Sequence, residues 1–280
     1  MSYRSLLVFL DQSPTCPART QVAARLATAL DTHLVGLAPT GVVDMMPFQE
    51  SGSALTEFAA RAWDTLRDRA EKATQRFSDD CKTARVKSFE AVIDEADEAT
   101  SLVRHAHCSD LCILTQTDPG ADGDWAARQL VERVVLQSAR PTLIIPRTGK
   151  FETIGHNILV AWDDSREAVR AMTDALPLLR LARSIHVVSW NETGAKNDKA
   201  LRQGLDALQN WLMWHGVTAR ARSETCDGRI AEAILSTAAT LNADLVVMGA
   251  YGHARWSERI LGGATRGLLS SMTVPVLMSH

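Results

Sequence analysis

The residues best placed to do chemistry lie in one tract, Met248-Gly249-Ala250-Tyr251-Gly252-His253-Ala254-Arg255-Trp256-Ser257-Glu258-Arg259-Ile260-Leu261-Gly262-Gly263-Ala264-Thr265-Arg266. An apolar strand run precedes it and a helical run follows. Gly249, Gly252 and Gly262 lack the Cβ that would hold a ligand away from the backbone. A strand that ends in such a loop and leads into a helix offers unpaired N–H groups and the positive end of the helix dipole, the two things a phosphate needs. At the carboxyl end of a parallel sheet, where open α/β folds bind ligands, that chemistry suits a nucleotide. A glycine after a strand is by itself more often a turn; here spacing and context favour the loop. His253 reads as a neighbour of the phosphates, whereas Arg255 and Arg259 fit a solvated helix face equally well.

Catalytic signatures are missing from the sequence. There is no Gly-x-Ser-x-Gly elbow, no His-Glu-x-x-His and no Gly-Lys-Ser/Thr loop. His105 and His107 are two apart, so on a helix they point to different sides and make a poor metal pair. The five cysteines (Cys16, Cys81, Cys108, Cys112 and Cys226) follow neither a disulfide framework nor zinc spacing. Cys108 and Cys112 read as small, partly buried apolar groups at a helix-to-strand corner. No metal ligands are assigned, and an efficient enzyme is not expected.

Elements that could position the loop recur twice along the 280 residues, a length suited to two domains. Arg4 to Asp11 resembles His156 to Asp163, an apolar strand run stopping at an aspartate, at an offset of 152 residues. Farther on, Ser109 to Leu114 matches Ala243 to Met248, and Arg140 to Ile145 matches Val274 to Met278, at an offset of 134. The first half therefore carries about 18 extra residues between Thr40 and Asp80, where Leu55, Phe58, Ala59, Ala62, Leu66, Ala70, Ala73 and Phe77 spell a long amphipathic helix. A shorter helix fills that place in the second half, from about Asn197 to His215, with Leu201, Leu205, Leu208, Leu212, Trp211 and Trp214 as a core stripe.

Short aliphatic runs alternate with helical patterns in each half, which predicts βαβ units and a parallel sheet. Five strands are expected per half. In the first they fall near Ser5–Leu10, Leu34–Ala38, Val86–Ala91, Leu111–Thr115 and Thr142–Ile145. In the second they fall near Ile158–Trp162, Ile185–Trp190, Thr218–Ser223, Leu245–Met248 and Val274–Met278. The polar segment Pro146 to Gly155 is the linker.

A net charge of -3 and a pI near 6.2 give no electropositive field for nucleic acid. The opening residues are not expected to act as a signal peptide, and no apolar run approaches the roughly 20 residues of a membrane span. Neither nucleic acid nor membrane is an expected partner, and a cytoplasmic location is.

With the spacing Gly249-x2-Gly252-x9-Gly262, the tract resembles the Gly-x2-Gly-x9-Gly-(Ser/Thr) ATP-binding motif of the universal stress protein family. The likeness extends to the opening strand ending in Asp163-Asp164-Ser165 and to the closing Thr273-Val274-Pro275-Val276-Leu277. It implies an α/β fold of two tandem doubly wound domains, each a five-stranded parallel sheet between helices. Residues 1–146 would be a degenerate copy without a phosphate loop, and 155–280 a copy that keeps it. The resemblance also implies that paired domains associate through their last strands.

Carried over residue by residue, the resemblance places Asp163, with Ala161 before it, beside the ribose and adenine. Backbone near Trp190 would read the adenine. Met248, Gly249, Gly252, His253, Gly262, Gly263, Ala264 and Thr265 would surround the phosphates. Asp163 fits helix capping equally well, since its counterpart Asp11 persists in the other half. The motif's terminal Ser/Thr is Gly263 here. A missing hydrogen bond to a charged group corresponds to roughly 10- to 100-fold in affinity, which Thr265 could offset in part.

An offset of 134 puts Thr115, Asp118 and Arg128 where the loop glycines should be, while Asp118, Asp122 and Asp124 make the first half's loop acidic. Phosphate would be repelled there. The expectation is one ATP or related adenine nucleotide per chain, with or without Mg2+, in a regulator of the stress response with an unidentified protein partner. Its halves form an intramolecular pair, and pairing of whole chains into a homodimer is compatible with the sequence. The alternatives are a nucleotide-independent interaction or chaperone-like scaffold and a slow ATP hydrolase.

Overall fold

The computed structural model describes residues 2–41, 53–117, 125–192, 198–227, 229–252 and 263–280. Chain order in the first half is β1 (Ser5–Phe9), α1 (Cys16–Leu30), β2 (His33–Pro39), α2 (Ser53–Thr83), β3 (Phe89–Asp94), α3 (Glu98–Ala106), β4 (Leu111–Thr115), α4 (Trp125–Gln137) and β5 (Thr142–Ile145). The second half continues with β6 (Asn157–Ala161), α5 (Arg166–Leu179), β7 (Ser184–Glu192), α6 (Asp198–Trp214), β8 (Arg220–Cys226), α7 (Ile230–Thr240), β9 (Leu245–Gly249), α8 (Gly263–Ser271) and β10 (Val276–Ser279).

Among the described residues, ten strands join one sheet in the order β3-β2-β1-β4-β5-β10-β9-β6-β7-β8. Within each set of five, neighbours run parallel, and the order away from the junction is the same. Their central strands are apolar runs because helices cover both faces, leaving no residue of Leu6–Val8 or Leu245–Val247 exposed. The halves meet where β5 and β10 pair antiparallel, with Val276 opposite Ile144 and Met278 opposite Thr142. That reversal sends the carboxyl ends of the two parallel sets to opposite edges of the sheet.

Alternating strand residues supply two cores. Leu6, Val8, Leu245 and Val247 pack with α1, α2, α5 and α6, while Leu7, Phe9, Val246 and Met248 pack with α3, α4, α7 and α8. The helix after β6 thus covers one face and the helix after β9 the other. Local signals start these helices. Asp97 caps α3 by accepting from the N–H groups of Ala99 and Thr100, and Ser165 caps α5 by accepting from Ala168 N–H. Gly36 admits α2, because a Cβ there would lie 2.7 Å from the Phe77 ring.

Several expected boundaries move. The third strand begins at Phe89, not Val86, because Arg85 (φ +56°) turns the chain out of α2 and Val86 N–H bonds back to Cys81 O. Strand pairing starts only where Phe89 meets Leu34. The eighth strand shifts likewise, to Arg220–Cys226. The long helix runs from Ser53 to Thr83, burying Ala70, Ala73 and Phe77; the side chains of Leu55, Phe58 and Ala59 lie outside the described residues.

On α6, Leu205, Leu208 and Leu212 are buried but Trp214 is 82% exposed. It sits two residues, about 200° around the helix, from Leu212, and so leaves the core stripe. The two cysteines expected to share one environment also part: Cys112 is buried in β4, while Cys108 is exposed in the turn after α3.

Candidate functional site

In the second half, the carboxyl edge gathers most of the residues singled out from the sequence. Ala161 ends β6 directly opposite Met248 of β9, and Ser279 of β10 pairs with Gly249. Past its last pair, β9 turns. Ala250 N–H bonds to Ser279 O at 2.9 Å, Ala250 O meets His280 Nδ1 at 2.9 Å, and Tyr251 takes a left-handed conformation (φ +55°). Tyr251 N–H then bonds to Thr265 Oγ1 at 3.3 Å. The Thr265 hydroxyl, buried in the first turn of α8, therefore ties the glycine turn to that helix. Ala264 and Gly263 lie beside it at the helix start; His253 and Gly262 lie outside the described residues.

Asp163 follows β6 and builds a turn. Its Oδ1 accepts from Ser165 N–H at 3.1 Å and from Ser165 Oγ at 2.5 Å, and Ser165 Oγ in turn caps α5. Asp163 is thus not the cap but the group that orients it. Trp190 is not the end of its strand, since β7 continues to Glu192 alongside β8. Its indole is 1% exposed, among Ile230, Ile234 and Met248 beneath α7. The last partner of β7 on β6 is Val188, opposite Ala161, so Trp190 backbone overhangs the end of β6.

The sequence reading missed Glu167 in α5. This residue is only 3% exposed, and its backbone explains one glycine outright: a Cβ on Gly249 would lie 2.6 Å from both Glu167 C and Ala168 N. On Gly252, a Cβ would lie 2.7 Å from Glu167 Oε2. A carboxylate therefore rests against the glycine turn on the α5 side. Burial works to raise its pKa, but the hydrogen bond from Arg166, backbone N–H donation and the charges of Arg166 and His280 outweigh that and hold it below the usual range. Its signal in the sequence was an acidic residue in the first turn of α5, indistinguishable there from ordinary helix-dipole compensation.

The first half turns its corresponding edge inward. Arg19 of α1 is 1% exposed; its Nε donates to Phe9 O at 2.7 Å and its Nη1 to Thr115 Oγ1 at 2.6 Å, while Nη2 lies 3.0 Å from Asp11 Oδ1. Thr115 holds the position of the first loop glycine, and Asp11 that of Asp163. Here the cation is internal and already engaged. Asp118, Asp122 and Asp124 lie outside the described residues.

Residues 155–280 match the model of the Universal stress protein family. A universal stress protein of Synechocystis sp. (strain ATCC 27184 / PCC 6803 / Kazusa) is 27% identical over 148 residues, 52% of this chain and 49% of that protein. The chain thus spans about half the length of this curated relative. A crystal structure of a universal stress protein from Archaeoglobus fulgidus DSM 4304 superposes with a TM-score of 0.71 at 16% identity, covering 98% of this chain and 95% of that one. A functionally unknown protein from Pseudomonas aeruginosa PAO1 superposes with a TM-score of 0.58 at 17% identity, covering 99% and 92%. Those two likenesses concern the fold. Among the described residues, no helix is long and apolar enough to cross a membrane.

Proposed function

Because the chain belongs to the universal stress protein family through residues 155–280, we propose that it binds one adenine nucleotide, ATP or a close relative, at the carboxyl edge of β6, β7 and β9. Occupancy then regulates its association with a protein partner in a cytoplasmic stress response. The observation that carries this reading is the glycine turn itself. It lies between β6 and β9, from which the following helices α5 and α8 leave to opposite faces, and such a switch point is where open sheets take ligands.

Glu167 and the α5 backbone fill one side of the turn, so phosphates approach from the α8 side, towards the helix start at Gly263 and Ala264. Trp190 backbone beyond the end of β6 is available to an adenine edge, and Asp163 Oδ2 to a ribose hydroxyl. Mg2+ accompanies the nucleotide if it binds the phosphates, since no protein ligand set is assigned to it. Residues 1–146 act in this reading as a degenerate second copy, a structural or regulatory partner whose edge is closed to phosphate by the Arg19, Asp11 and Thr115 contacts.

Calorimetric titration with ATP, with and without Mg2+, tests the proposal on the intact chain and on Gly262→Val. Saturation near one nucleotide per chain, lost in the variant, is the expected result; two sites would refute the reading of the first half. The absence of saturable binding at millimolar ATP would move the function to a nucleotide-independent scaffold. That second reading is favoured by one observation, the ionised Glu167 carboxylate against Gly252.

A further inference from the structure

The helix α5 joins the glycine turn to the first half. The backbone of Glu167 and Ala168, in its first turn, lies against Gly249. Asp174 follows on the same face, two helical turns and about 10 Å farther along. Three donors meet there. Asp174 Oδ2 accepts from Ser279 Oγ at 3.0 Å and from Arg170 Nε at 2.9 Å, and the Asp174 carbonyl accepts from Tyr3 OH at 2.6 Å.

Two of these donors fasten α5 to the first half. Tyr3, just ahead of β1, is buried; that burial and the charges of Asp174 and Asp110 raise the pKa of its phenol, which keeps it a donor. Arg170 also donates through Nη2 to the carbonyl of Ala139, between α4 and β5, at 3.0 Å. The third donor leads back to the turn. Ser279 is buried, pairs with Gly249 across β10 and β9, and accepts from Ala250 N–H through its carbonyl at 2.9 Å. At this level α5 draws on support from outside, because Pro177 has no N–H to give the Thr173 carbonyl, one position before the carbonyl that Tyr3 meets.

We propose that the first half positions the glycine turn of the second, with Asp174 as the positioning residue. Tyr3 and Ala139 fix α5, the α5 backbone seats Gly249, and Ser279 ties β10 to the same carboxylate. A half whose own edge is closed to phosphate thus serves as the support of its neighbour's site. The consequence for nucleotide affinity rests on the nucleotide reading; the link between Tyr3 and the turn does not.

The test compares the intact chain with Tyr3→Phe, which loses one hydroxyl and keeps the ring, and with Arg25→Ala, which breaks a different contact of the first half, to the Phe151 carbonyl of the linker. Amide resonances are first recorded without nucleotide by proton–nitrogen correlation NMR. Tyr3→Phe is expected to shift Gly249, Ala250 and Tyr251, and Arg25→Ala to leave them in place. ATP is then titrated by calorimetry. Binding about 3- to 10-fold weaker is expected in Tyr3→Phe, as for the loss of one neutral hydrogen bond, with parent affinity in Arg25→Ala. Turn resonances unmoved by Tyr3→Phe, or moved as far by Arg25→Ala, would overturn the proposal whatever ATP does. A shifted turn that binds ATP with parent affinity would overturn it too. A shifted turn in a chain whose parent shows no saturable ATP binding supports the link from Tyr3 to the turn and removes the nucleotide reading alone.

Discussion

Arg19 donates to the Thr115 hydroxyl at 2.6 Å, across 96 residues of sequence, and Thr115 stands at the strand end where the second half has Gly249. One edge thus satisfies its polar groups internally, whereas the equivalent turn in the other half is made of glycine backbone. The difference between the halves is a matter of which side chains fill that edge, since the strand order around it is the same.

Replacing Arg19 with methionine should be costly, because it strands Thr115 and Asp11 without their cation. We expect a loss of about 2–4 kcal/mol in urea unfolding. Adding Asp11→Asn should restore part of it, as the charge left behind is removed. An unchanged unfolding midpoint in the single variant would show that the buried contacts contribute no net stability.

The two described glycines of the turn should not respond alike. In Gly249→Ala the new methyl meets α5 backbone at 2.6 Å, which no rotamer change relieves, whereas in Gly252→Ala it meets the end of the Glu167 side chain. Thermal unfolding should therefore show Gly249→Ala destabilised by about 1–3 kcal/mol, and Gly252→Ala by clearly less. Equal losses would contradict the described approach of α5.

Removing the charge next to the turn should help a polyanion. Glu167→Gln is expected to tighten ATP about tenfold at low ionic strength, ~1.4 kcal/mol, with the gain shrinking as salt is added. Weaker binding in this variant would instead make the carboxylate a positioning group for the turn.

A pH effect is expected at the outer edge of the first half. Asp94 ends β3 and accepts from Ser101 Oγ at 2.6 Å, from Ala96 N–H and from Arg104. Burial raises its pKa, but these bonds and the Arg104 charge more than reverse that and bring it down to about 2. A folded-state pKa below the unfolded value stabilises the fold above the unfolded pKa of about 3.9 and loses that stability as the pH falls towards 2. Asp94→Asn should thus cost about 2 kcal/mol at neutral pH, and the gap between the two unfolding curves should close between about pH 4 and 2. A gap independent of pH would exclude the carboxylate charge as its source.

The sequence by itself determined the α/β alternation, the repeat and the glycine spacing. Each depends on local chemistry: apolar runs that only a covered strand tolerates, capping residues such as Asp97 and Ser165, and turns that need a bare backbone. Boundaries failed where a turn overrode a β-prone run, as at Arg85 and Val86, because strand ends are fixed by the partner strand. Trp190 is not a strand end for the same reason, since β7 runs on to Glu192 beside β8, and Trp214 leaves the core stripe because it lies about 200° around the helix from Leu212. The tertiary structure alone decided that β5 meets β10 antiparallel, which sends the carboxyl edges of the two halves apart. It also decided that Arg19 turns inward onto Thr115 and that Glu167 lies against Gly249 and Gly252. These are contacts between residues distant in sequence. Their chemistry follows from which groups packing leaves without a partner, and no spacing rule encodes that.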